Sequence, residues 1–78
     1  MNLTPEQITV LETALTERML RIGCTIFGCN ERLRAARAGL SDELPRHIEV
    51  ELKGWVAHRE VVRGTWDALQ ALLGREAA

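Results

Sequence analysis

Residues 19–29 read Met-Leu-Arg-Ile-Gly-Cys-Thr-Ile-Phe-Gly-Cys, and Arg21 is the one charge among them. At about 100° per residue, Met19, Leu20, Ile22, Cys24, Ile26, Phe27 and Cys29 spread around most of a helix instead of lining one stripe. A helix that is apolar nearly all round must be covered on several sides. Only one other segment of this chain reads as a helix, so the pattern implies a second chain.

Size points the same way. A domain of 78 residues builds a small core, and oligomerisation is one of the few ways to reinforce it. Ten basic residues against eleven acidic ones leave a formal charge of −1, which argues against a general binder of phosphate backbones. Nine of the ten basic residues are Arg, and Ala and Leu are frequent, a composition that suggests GC-rich coding in a bacterium or its phage. The apolar run is too short to cross a bilayer and lacks the position of a signal peptide. No membrane association is expected, and a cytoplasmic location with reduced thiols is.

Leu3-Thr4-Pro5-Glu6-Gln7-Ile8 carries a full helix start. Thr4 is the cap, Pro5 takes the first helical position, Gln7 returns the capping bond, and Leu3 can staple onto Ile8. Gly39 is placed as a left-handed stop, with Leu40 following to pack back. A second start lies at Ser41-Asp42-Glu43-Leu44-Pro45, where acids meet the positive end of a helix dipole. Helix 1 is therefore expected over about 4–38 and helix 2 over about 44–73, ended by Gly74. Gly23 and Gly28 weaken helix 1, and a kink or break near 28–30 is compatible with its composition.

Both helices carry apolar residues at alternating spacings of four and three: Ile22, Ile26, Cys29, Leu33, Ala36 and Leu40 in the first, and Ile48, Leu52, Trp55, Arg59, Val62, Trp66, Leu69 and Leu73 in the second. The expected fold is all-α, an antiparallel two-helix hairpin. Folding the chain at residue 41 sets Arg32, Arg34 and Arg37 opposite Glu43, Glu49 and Glu51, and Glu12 and Glu17 near Arg63. It also sets Trp55 against the Phe27–Gly28 turn. A stripe of mostly small residues runs beside the second seam through Val50, Gly54, Ala57, Val61, Ala68 and Leu72. Two hairpins packed face to face as a homodimeric four-helix bundle would cover what one leaves exposed, with Leu20, Cys24, Phe27, Gly28 and Val61 in the interface.

No residue pattern points to catalysis, and no metal, cofactor or enzymatic activity is expected. Cys24 and Cys29 lie about 140° apart on a helix, which rules out a bond or a zinc knuckle between them. The hairpin register brings Cys24 near His58, but free cysteines are more often small core residues. Ala35-x-x-x-Gly39-Leu40-Ser41 has the spacing of a DNA-binding helix-turn-helix. The recognition helix would then contain Pro45 and turn Asp42, Glu43 and Glu49 toward phosphates, so this motif is not expected to bind DNA.

Arg59 occupies a seam position that suits Leu or Ile. Its guanidinium can snorkel, pair with an acid across an interface, or hold an anionic ligand. Arg34 and Arg37 add a basic strip at the end of helix 1. These features give a first expectation, a small helical regulator, inhibitor or adaptor that binds another protein, and a first alternative, a dimeric bundle that holds an anionic small molecule or nucleotide through Arg59 and His58; the second alternative is a nucleic-acid-binding regulator in which a dimer presents Arg32, Arg34 and Arg37 as a basic strip.

Overall fold

Thr4 begins the first helix as its neighbours dictate. Its side chain accepts a hydrogen bond from the Gln7 backbone, and the Gln7 side chain accepts one from the Thr4 N–H, at 3.1 and 2.9 Å. The computed structural model describes residues 3–75 and consists of α1 (Pro5–Arg37) and α2 (Pro45–Leu72). The helix α1 is continuous through Gly23 and Gly28, with no break near 28–30. Thr9, Thr16 and Thr25 each donate their hydroxyl to the carbonyl four residues earlier, so these β-branched residues sit in the helix without an unsatisfied polar group.

Both helices end on a glycine in the left-handed region, Gly39 at φ 73° and Gly74 at φ 71°. Behind them the Leu40 N–H bonds the Ala35 carbonyl and the Arg75 N–H bonds the Gln70 carbonyl, the closure of a Schellman motif. Leu40 does not pack back on helix 1 as expected; it stands exposed in the loop just after the left-handed turn at Gly39. The start of α2 also differs. Leu44 caps it without a side-chain bond, and the helix has no acid in its first turn, because it begins at Pro45, after Asp42 and Glu43, and Glu43 bonds Arg32.

The helices run antiparallel along a molecule 54 Å long and meet along the expected seam. Two clusters form the core. Ile22, Ile26 and Val62 make one, Cys29, Leu33 and Ile48 the other, and Leu52 and Trp55 pack against both. Every residue of the second seam from Ile48 to Leu73 is buried or half-buried, whereas Val50, Gly54, Ala57, Val61, Ala68 and Leu72 are all exposed. The alternation of four and three residues is the geometry in which one helix inserts side chains between those of its neighbour.

Trp55 does not rest on Gly28. A side chain added at Gly28 would meet nothing within 4 Å, since this residue lies about 140° from the centre of the α1 seam. Trp55 instead bridges the two core clusters. Cys29 is a small core residue, and burial pushes its thiol up, away from the thiolate form.

Charges lock the loop end of the hairpin. Arg32 bonds Glu43 through two nitrogens and Glu51 at 2.6 Å, and Arg37 bonds Glu49 at 2.9 Å. Arg34 departs from the expected cross-helix pairing and reaches only Glu31, one turn before it at 3.6 Å, because it points away from α2. Arg63 likewise pairs with Glu60 of its own helix, not with Glu12 or Glu17. Glu12 takes a hydrogen bond from Gln70 at 2.7 Å and pairs with Arg75 at 3.6 Å.

Hydrogen bonds from Arg32 hold the Glu43 carboxyl below the usual carboxylate range. The folded value is thus lower than the unfolded one. The stabilisation is fully present above the ordinary carboxylate pKa and is lost as pH falls through the folded value. Thermal unfolding followed by circular dichroism should show a fall in midpoint between about pH 7 and about pH 3 that is larger in the native chain than in Glu43→Gln. Equal falls would show that this pair contributes nothing.

Candidate functional site

Four of the five residues expected at an interface stand in solvent. Leu20 is 69% exposed, Phe27 67% and Val61 65%, and Cys24 is exposed beside them, while Gly28 is half-buried. Val10, Val50 and Leu72 add to this surface. The burial of one α1 stripe against one α2 stripe leaves the backs of both helices apolar.

These two backs do not share a side of the hairpin. On one broad side, Ala14, Arg18 and Thr25 of α1 face His58 and Thr65 of α2 across shallow grooves. Val61 falls one turn after His58 and one before Thr65, so the Val50–Val61–Leu72 stripe leans to that side. On the other broad side, Thr16 and Met19 face Arg63 and Asp67. Leu20 lies one turn after Thr16, and Phe27 two turns further on, so their stripe leans the opposite way. The molecule is thus a two-helix slab with an apolar edge on each rim, turned away from each other.

The broad sides between them carry mixed charge. One has Arg18 and Arg21, with Arg32 already paired to Glu43 and Glu51, and the other has Arg63 and Asp67. No single flat surface can cover both edges.

The other expected site residues divide between the two sides. His58 is half-buried, with its ring edge-on to Trp55 at a centroid distance of 6.1 Å, and lines a groove of about 510 Å³ with Arg18, Arg21 and Thr25. Arg59 does not line that groove. It is half-buried in the seam, and its Nε is enclosed without a hydrogen-bond partner, 4.0 Å from the nearest Glu60 oxygen. Its stem fills the seam and its head reaches the surface beside Glu60, as an amphipathic side chain does.

Arg34 and Arg37 share a concavity with Phe27, Asn30 and Glu31 at the loop end of the α1 edge. Among the described residues no group of three or more His, Cys, Asp or Glu side chains could hold a metal ion. No helix among them is long and apolar enough to cross a membrane.

Sequence reasoning singled out Arg59 and His58 together, yet Trp55, Arg18 and Arg21 are the residues that surround His58. The spacing of Arg18, Arg21 and Thr25 on one face of α1 carries this signal, but it becomes visible only with the groove. Comparison with protein-family models, curated proteins and solved structures found no match to this chain.

Proposed function

We propose that this chain is a non-catalytic helical interaction module, acting as a regulator, inhibitor or adaptor by occupying the surface of another protein and by associating with its own copies. The observation that carries this reading is the pair of exposed apolar edges, Leu20–Phe27 on α1 and Val50–Leu72 on α2, on a scaffold whose seam is already filled. Contiguous apolar surface of this kind on a small domain marks interaction sites. Arg34 and Arg37 beside Phe27 supply the cationic rim that such anchors commonly have. Two hairpins in contact make a four-helix unit, the smallest assembly that shields one edge of each. The exposed free thiol of Cys24 suits a reducing, cytoplasmic setting.

The test is binding to a partner that co-purifies at fixed stoichiometry and is then recombined from purified components. Phe27→Glu should weaken that complex at least about tenfold, equal to about 1.4 kcal/mol, in a calorimetric titration. Unchanged affinity in both Phe27→Glu and Val61→Glu would overturn the reading.

A second reading rests on the groove at Trp55. Arg18, Arg21 and His58 there form a cationic margin around an indole, a setting for a small anionic ligand held by charge and by ring contact. Tryptophan fluorescence titrated with inorganic phosphate and with nucleotides tests it. A saturable response lost in the Arg18→Ala, Arg21→Ala double variant supports this reading, and a flat titration removes it.

A further inference from the structure

We propose that the open end of the hairpin is a releasable arm: residues 5–14 part from α2 while the loop end stays closed, and the Glu12 side chain is the latch that holds them. This conformational device goes beyond the interaction reading and does not depend on it.

Burial is graded along the hairpin. The four buried residues of α1 are Ile22, Ile26, Cys29 and Leu33, all nearer the loop than the arm is, and they belong to the two core clusters. Residues 5–14 contribute no buried residue; Ile8 and Glu12 are half-buried, and Leu11 and Val10 are 41% and 67% exposed. Segments with few buried apolar contacts are the ones that open below the cost of global unfolding.

Polar contacts are graded in the same direction. Near the loop, Arg32 pairs with Glu43 and Glu51, and Arg37 pairs with Glu49. At the open end, among the described residues, the side-chain bonds that cross to α2 and its C-terminal turn all meet at Glu12. It accepts a hydrogen bond from Gln70 at 2.7 Å and pairs with Arg75 at 3.6 Å. Glu12 stands four residues after Ile8 and three before Leu15, a seam position, and its side chain is 22% exposed. A carboxylate that lets go of these partners is taken up by water, so its net hold is small. A leucine at the same place would have to expose apolar surface on release.

The arm also keeps its own helix start. The Thr4–Gln7 capping box and the bond from the Thr9 hydroxyl to the Pro5 carbonyl lie within α1 and survive separation from α2. Separation therefore uncovers side chains without dismantling the helix. Leu69 is 9% exposed, stands outside both core clusters and lines a groove with Leu11, Ala14 and Leu15. With the arm away, Leu69 and the half-buried Leu73 join the exposed Leu72. The latch thus sets how much apolar surface α2 presents at this end.

Spin-label distances measured by double electron–electron resonance test this in a Cys24→Ser background, where the remaining native thiol, Cys29, is buried. One pair, Val10→Cys with Ala71→Cys, reports the open end, and another, Ala38→Cys with His47→Cys, reports the loop end. The loop pair should give a single narrow distance. The open-end pair should add a longer distance, with a population on the order of a tenth. Glu12→Ala should raise that population at least about threefold, with the loop pair and the helix content by circular dichroism unchanged. Glu12→Gln, which keeps an acceptor for Gln70, should fall between the two, and Glu12→Leu should lower the population. Adding Gln70→Ala to Glu12→Ala should raise it less than Gln70→Ala does in the native chain, because the two side chains share one bond.

A Glu12→Ala variant with one narrow distance at the open end overturns the arm. Equal broadening of both pairs overturns it as well, since the hairpin then loosens as a whole. Fully additive effects of Glu12→Ala and Gln70→Ala overturn the latch.

Discussion

Replacing Ile48 by Ala should abolish the cooperative unfolding of the hairpin at room temperature. Ile48 is 1% exposed and fills the space between Cys29 and Leu33, at the loop end where the two helices first meet. Removing its outer carbons costs about 2–5 kcal/mol, the transfer of the lost methylenes plus the cavity they leave. A core of this size supplies a net stability of roughly 3–5 kcal/mol, so the loss equals most or all of it. Circular dichroism at low protein concentration should show weak helicity without a melting transition. Ile48→Val, which costs about 0.5–1.5 kcal/mol, should melt cooperatively at a lower temperature. An alanine variant that melts like the native chain would mean that the seam does not carry the fold. Concentration must be held fixed, because self-association adds to apparent stability by mass action.

Replacing Arg59 by Leu should have the opposite sign. Arg59 stands in the α2 seam between Trp55 and Val62, with its Nε enclosed and unpartnered and the Glu60 carboxylate 4.0 Å away, beyond hydrogen-bond distance. An enclosed donor without an acceptor costs about 1–3 kcal/mol, and a leucine at this position completes the seam with apolar volume. The expected gain is about 1–2 kcal/mol, or roughly 4–8 °C of melting temperature for each kcal/mol in a domain of this length. An unchanged or lower midpoint would show that the guanidinium finds an acceptor in solution. Sedimentation of the same variant separates a stability effect from one on assembly, since the seam lies on neither edge.

Much of this architecture was legible along the chain. The capping box at Thr4 and Gln7, the glycine stops at Gly39 and Gly74, and the seam from Ile48 to Leu73 all depend on residues within a few positions of one another, where local geometry decides. The register was legible because Arg32 and Arg37 have acids at the matching height on the second helix, and both pairs form. Most of the pairings that failed did so through direction around the helix. Height along the hairpin set Arg34 opposite a glutamate, Arg63 near Glu12, and Trp55 on Gly28, but a contact also needs the right direction around each helix. Arg34 and Gly28 point away from the seam, whereas Glu12 lies at the height of Gln70 and Arg75, about two helical turns beyond Arg63.

The apolar excess shows the same division. Residues 19–29 by themselves establish that α1 is apolar on more than one face, and Val50 to Leu72 establish it for α2, because the phase of each residue around a helix follows from its number. Where those surplus faces point relative to each other is a property of the pair. It is set by how two antiparallel helices turn their seams together, and no window of sequence along one helix contains it. The tertiary structure alone places Leu20 and Phe27 on one rim and Val61 on the opposite one, and so turns a surplus of apolar residues into two separate edges.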